Sequence, residues 1–203
     1  MALSLTVDRS GNVLTTGFFD GTVDFDPGSG TYNLTSNSGD AFISKLDPSG
    51  NFVWAKQFEG TSSRITPYNI VCDLSGNVYT SGQLSSGTAD FDPGASVSNL
   101  SYTNGENFIR KLDAAGKFIW VKQIVGFVNP YIYMYPDNDN NLFIATDFSG
   151  NIDFDLGPGT FKLNSPSSSN TCIFKLDASG NFAWAKQLGD TNSTVQCKAL
   201  LLD

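Results

Sequence analysis

Phe52-Val53-Trp54-Ala55-Lys56-Gln57 is the stretch on which the reading of this chain turns. It returns as Phe118-Ile119-Trp120-Val121-Lys122-Gln123 and as Phe182-Ala183-Trp184-Ala185-Lys186-Gln187, with the tryptophans 66 and then 64 residues apart. The chain has 203 residues and three tryptophans, and all three occupy this one position. Just upstream, Lys45-Leu46-Asp47, Lys111-Leu112-Asp113 and Lys175-Leu176-Asp177 keep the same register. A fixed period of this length marks tandem copies of one supersecondary unit, each burying an apolar face on its neighbour.

Every unit carries the turn D-x-x-G-N, or a close variant, twice: from Asp8, Asp73 and Asp137, and from Asp47, Asp113 and Asp177. The Asp can accept a backbone N–H, and the Gly supplies the positive φ of a hairpin turn. Asn140 replaces Gly in one copy, and Asn is the next most tolerant residue in the left-handed region. Strand-like runs follow the first turn (Val13–Phe19, Val78–Leu84, Leu142–Phe148) and precede the second (Ala41–Leu46, Asn107–Leu112, Thr171–Leu176). Simple alternation predicts Phe52 and Trp54 on one face of the Trp strand and Val53 and Ala55 on the other. With both faces apolar, the strand is covered on both sides, the Trp face of one sheet meeting the small face of the next.

The fold class this predicts is all-β, a β-propeller of radially stacked four-stranded blades. A β-solenoid is the alternative, although its coils are usually shorter. The units run over residues 2–66, 67–130 and 131–196, and residues 197–203 repeat the start of a unit, predicting the first strand of a further one. Closed propellers use about four to eight blades. Three therefore imply self-association or further repeats to complete the ring.

The order of a D-x-x-G-N-hydrophobic-x-T-G strand, a Gly/Phe/Asp-rich link, a K-L-D-x-x-G-N hairpin and a W-A-K-Q strand resembles the SBBP family of β-propeller repeats over essentially the whole chain. The resemblance implies a bacterial, Bacteroidetes-type protein, secreted or at the cell surface, with no catalytic residues to carry over. No signal peptide is visible in Met1–Asp8.

Composition narrows the function classes. Twelve basic against 20 acidic side chains leave a formal charge of −8, which argues against a nucleic-acid partner. No apolar run is long enough to span a bilayer, so membrane insertion is not expected. The chain contains no histidine, which removes Ser-His-Asp and Cys-His nucleophile systems and His-ligated zinc. No enzyme is expected. Cys72, Cys172 and Cys197 are too few and too irregular for a disulfide framework, and Cys172 falls where other units carry Phe42 and Phe108.

Two features invite a binding role. The link Val23-Asp24-Phe25-Asp26-Pro27-Gly28 recurs around Asp90 and Asp92 and around Asp153 and Asp155. Carboxylates at i and i+2 of an extended strand share a face, and such oxygen pairs are candidate ligands for Ca²⁺. The competing role is structural, with the second Asp capping a Pro-Gly turn and the Phe anchoring the link. No other cofactor is expected. Tyr131, Tyr133 and Tyr135 form an aromatic run richer than its counterparts, a candidate glycan-stacking surface. The function these observations support is a non-enzymatic propeller scaffold for structural assembly or protein and surface interaction, with a carbohydrate-binding, lectin-like module as the alternative.

Overall fold

The computed structural model describes residues 1–61, 64–103, 105–126, 128–190 and 193–200. Each unit folds into a four-stranded antiparallel blade. The first contains β1 (Ala2–Val7), β2 (Val13–Asp24), β3 (Asn33–Leu46) and β4 (Phe52–Thr61) in that order. In the second, β5 (Ile65–Cys72) and β6 (Val78–Leu84) precede a separate hairpin, β7 (Gly87–Asp90) and β8 (Asn99–Tyr102). That blade is completed by β9 (Glu106–Leu112) and β10 (Phe118–Ile124), in the order β5-β6-β9-β10. The third contains β11 (Tyr133–Pro136), β12 (Leu142–Asp153), β13 (Lys162–Leu176) and β14 (Phe182–Leu188), again in chain order. No helix occurs among the described residues, and none is long and apolar enough to cross a membrane.

The hairpin turns form for the reasons their residues supply. Asp8 Oδ1 accepts the N–H groups of Ser10 and Asn12, and the Asn12 amide donates to Asp8 Oδ2 at 2.8 Å. Asp47, Asp73, Asp113, Asp137 and Asp177 repeat the backbone part of this pattern. The turn glycines all have positive φ, and Asn140 adopts φ 62° in their place.

The strands run further than alternation suggested. After a register shift at Phe19/Gly21, β2 continues to Asp24 and stays paired with β3, so the expected link is the tip of a two-stranded arm. Gly21, at φ 73°, reads in sequence as a break but stays paired within the strand, the extra residues of the bulge, 37–39, lying on β3. The third unit builds the same arm from β12 and β13, and the second builds it as β7 and β8. The second arm also pairs with the first blade, Glu59, Gly60 and Thr61 of β4 lying opposite Asp90, Ala89 and Thr88. At the next joint the described residues contribute a single bridge, Val128 to Phe148.

The expected side-chain alternation in the Trp strand is corrected by a β-bulge. Leu46 pairs with Phe52 but its neighbour Lys45 pairs with Trp54, so Val53 is the extra residue. Lys45 and Leu46 point to opposite faces, which puts Phe52 and Trp54 on opposite faces too. The same shift occurs at Phe118/Trp120 and opposite Lys175/Leu176 in the third blade. Val53 and Ile119, displaced by the bulge, are exposed.

Two apolar cores lie between blades. One joins Leu14, Ile43, Trp54 and Phe58 of the first blade to Val78, Phe108, Leu112 and Phe118 of the second. The other joins Tyr79, Ile109, Trp120 and Ile124 of the second to Leu142, Phe174, Leu176 and Phe182 of the third. Phe118 and Trp120, two residues apart, thus enter different cores, as the bulge requires.

The unit boundary expected at residue 67 falls inside β5 (Ile65–Cys72). The further strand expected over 197–203 is not formed where it is described. Cys197–Leu200 are irregular, with the Cys197 N–H donating to Asp147 Oδ1 at 2.9 Å, and residues 201–203 lie outside the described residues.

Candidate functional site

The acidic links sit at the arm tips, where the last paired residues are Asp24 and Asn33, Asp90 and Asn99, and Asp153 and Lys162. Asp24 Oδ1 accepts the N–H groups of Asp26 and Tyr32, at 3.0 and 2.8 Å. Asp26 Oδ1 accepts the Gly28 N–H at 2.8 Å. Asp90 holds Asp92 and Ser98, and Asp92 holds Gly94. Asp153 holds Asp155 and Phe161, and Asp155 holds Gly157. These donors favour the ionised form: the N–H groups of Tyr32 and Asp26 keep the Asp24 carboxyl below its usual range. The intervening phenylalanine turns inward, Phe25 stacking on Phe42 at 4.9 Å, Phe91 on Phe108 at 4.8 Å and Phe154 on Phe174 at 5.4 Å. No cluster of three or more acidic or cysteine side chains able to hold a metal ion occurs among the described residues.

Lysines of the preceding blade border the second and third of these links. Lys56 and Asp92 line one cleft of about 310 Å³, and Lys122 and Asp155 line its counterpart of about 410 Å³ at the next joint. The lysine and glutamine of the repeated W-A-K-Q segment therefore have distinct positions. Lys56, on the Trp54 face, leans on the next blade, and a methyl group on Gly116 would lie 3.1 Å from its Cε. Gln57 ties the strand to the base of its own arm through Thr35 O and Asp40 Oδ2, both at 2.8 Å. Gln123 and Gln187 reach Ser101 O and Asn164 O in the same way.

A second repeated device went unread in the sequence. Lys45 pairs with Asp8 at 3.0 Å, Lys111 with Asp73 at 3.9 Å and Lys175 with Asp137 at 3.2 Å. Each pair joins the first turn of a blade to the strand entering its second turn. The signal that could have found it is the near-constant separation of opposite charges, 37, 38 and 38 residues. Lys111 also donates to Ala178 O of the third blade at 2.8 Å.

The tyrosine run does not act as one surface. Tyr131, exposed, precedes β11 and stacks on Tyr68 of the second blade at 5.1 Å. Tyr133 and Tyr135 lie within β11 opposite Ala145 and Phe143, on the third blade's Trp184 face. Tyr135 also borders an open cleft of about 460 Å³ with Thr6, Val71, Cys72 and Asp137, between the first strands of the three blades. All three cysteines are free thiols. The indole nitrogens of Trp54 and Trp120 are buried without a hydrogen-bond partner, which suits rings that serve inter-blade packing.

Stacked four-stranded blades with repeated hairpin turns and inter-blade tryptophans define a β-propeller repeat protein. Residues 53–83, from the first blade's Trp strand through the first hairpin of the second, match the SBBP beta-propeller repeat family. The chain is also 23% identical, over 95% of its length, to an uncharacterized WD repeat-containing protein of Acanthamoeba polyphaga mimivirus. It spans 16% of that relative's length.

Proposed function

We propose that the chain is a non-enzymatic propeller scaffold of a secreted or cell-surface bacterial protein, serving structural assembly or protein interaction. One observation carries this reading: the acidic groups that could have formed a site recur from unit to unit and are engaged in holding the fold. Asp24, Asp90 and Asp153 close arm tips, and Asp8, Asp73 and Asp137 pair with lysines. A single active site would instead need groups that differ between copies. Two measurements test the reading. Mild protease treatment of intact source cells should release peptides of this chain, and release only after lysis would overturn the surface location. Purified chain should bind those cells saturably and lose that binding once their surface proteins are digested. Unsaturable binding would overturn the interaction role.

A glycan-binding reading draws on the stacked pair Tyr68 and Tyr131, whose exposed ring offers an apolar platform for a sugar face. A glycan array should then show hits that Tyr131→Ala removes, and an array without hits would discard it.

A further inference from the structure

The turn and arm-tip carboxylates repeat from blade to blade, but one strand position does not. Phe18, Gln83 and Asp147 occupy it in the three units, opposite Ala41, Asn107 and Thr171. At the first joint the chain sets a cation of its own beside this position. Arg64, on the link into the second blade, lays its guanidinium over the Phe18 ring at 3.5 Å. A methyl group built on Gly39 would meet the Arg64 Cγ at 3.5 Å.

The second joint lacks that cation. Gly60 and Asp73 are 13 residues apart, whereas Gly126 and Asp137 are 11 apart with no lysine or arginine between them. A cleft of about 250 Å³ lies there, bordered by Gln83 and Gly105 of the second blade, Pro130 of the link, and Asp147, Phe148 and Ser169 of the third. Gln83 and Gly105 are the counterparts of Phe18 and Gly39, the two residues that Arg64 covers. Asp147 is only 5% exposed, yet both donors to its carboxylate go to Oδ1: the Thr171 hydroxyl at 2.7 Å and the Cys197 N–H at 2.9 Å. No lysine or arginine among the described residues forms an ion pair with it, and none lines the cleft. The Gln83 amide donates to Gly105 O at 2.6 Å, which leaves its own oxygen as an acceptor. A buried carboxylate without a counter-charge is costly, and a cation offsets that cost.

We propose that this cleft takes the guanidinium of an arginine from outside the chain, with Asp147 Oδ2 and Gln83 Oε1 accepting its N–H groups and its stem lying along Pro130. A planar fork of donors suits acceptors on two facing walls, and the bond to the carboxylate is charge-assisted. The ligand then supplies at the second joint the cation that Arg64 supplies at the first. The site goes beyond the scaffold role and does not depend on it.

Calorimetric titration with two probes tests the site: N-acetylarginine amide, which mimics an arginine of a partner chain, and agmatine, a free alkylguanidinium. Both should bind at millimolar concentration or below, and the uncharged N-acetylcitrulline amide should not. The tighter of the two identifies the source of the guanidinium. Asp147→Asn keeps an acceptor for Thr171 and Cys197 and should weaken binding by about tenfold or more. Asp139→Asn removes the same charge from an exposed turn and should leave binding unchanged. Gln83→Arg places an internal guanidinium in the cleft and should abolish binding in a chain that circular dichroism shows to be folded. Should Asp147→Asn fail to fold, Gln83→Arg alone decides. Absence of heat with both probes, equal binding of the citrulline amide, or an affinity indifferent to Asp147→Asn and Gln83→Arg would overturn the assignment.

Discussion

The indole of Trp120 lies so close to Gly180 of the following blade that a methyl group there would sit 2.7 Å from Cε2. The glycine is needed twice over, since its φ of 85° is one that side chains rarely adopt. Gly180→Ala should combine about 1–2 kcal/mol for the left-handed backbone with about 1–3 kcal/mol for overpacking. Gly50→Ala, with the same backbone but open space, should cost only the first part. Urea denaturation of both variants measures the difference.

Arg110 is buried, with its guanidinium 3.2 Å from the centre of the Phe58 ring and its Nε and Nη1 without hydrogen-bond partners. Burial lowers its pKa, and no carboxylate among the described residues pairs with it. The third blade places Phe174 at this position. Arg110→Met keeps the bulk and removes the buried charge, so the expected effect is neutral to stabilising by up to about 3 kcal/mol. Arg110→Ala, which leaves a cavity under Phe58, should be less stable than the methionine variant in the same denaturation assay.

Acid should weaken the blades through the turn carboxylates. Burial alone would raise the Asp8 carboxyl, but hydrogen bonds from Asn12 and Lys45 and the lysine charge hold it below its ordinary 3.8. Asp137 is held down against burial by Asn141 and Lys175, and Asp177 by the N–H and side chain of Asn181. A depressed folded-state pKa contributes stability that is complete above the unfolded value and lost as pH falls through the folded one. The urea midpoint should hold between neutrality and roughly pH 4 and fall below it. In Asp8→Asn combined with Asp137→Asn the midpoint should start lower and fall less.

The thiols should separate by environment. Burial first, then the Asp8 charge, raises the Cys72 thiol to about 12, and burial also raises Cys172. Neither should form thiolate at pH 8, so a disulfide reagent should label Cys197 first. Loss of the fast phase in Cys197→Ser checks the assignment, and rapid labelling of three thiols in the native chain would contradict it.

Calcium added to chelator-treated chain should release no heat at millimolar concentration. In each arm tip backbone N–H donors already hold one oxygen of each carboxylate, Tyr32 on Asp24 Oδ1 and Gly28 on Asp26 Oδ1, which fixes the pair on the turn rather than on a shared ion. Heat that disappears in Asp24→Asn and Asp26→Asn would instead assign the pairs to an ion.

The turns, the blade count and the Asn140 substitution were legible because local residue chemistry determines them: an Asp to accept, a Gly or Asn to turn left-handed. The faces of the Trp strand were not. The bulge at Val53 appears only when Lys45 is set opposite Trp54, and Val53, Ile119 and Ala183 share no bulge signature. The arms were hidden for a related reason, since the extra residues 37–39 of β3 sit in a Ser-, Asn- and Gly-rich stretch that marks a break and a bulge equally well. Their acidic tips suggested an ion in the sequence because i and i+2 carboxylates converge on a straight strand. Here the strand ends at Asp24, and each carboxylate turns back onto the backbone.

The unequal joints give this molecule an order of disassembly. Separating the first blade from the second means breaking a backbone ladder at Glu59–Thr61, whereas the third is held to the second by one backbone bridge at Val128 among the described residues and by side chains such as Lys111 and Ser81, which donate to Ala178 O and Ile132 O. Backbone bonding thus latches the leading pair of blades, and at the trailing joint the side-chain bonds must release before that blade swings away. A partner that pried the molecule open, or a protease that waited for it to breathe, would find its way in between Ile124 and Phe174.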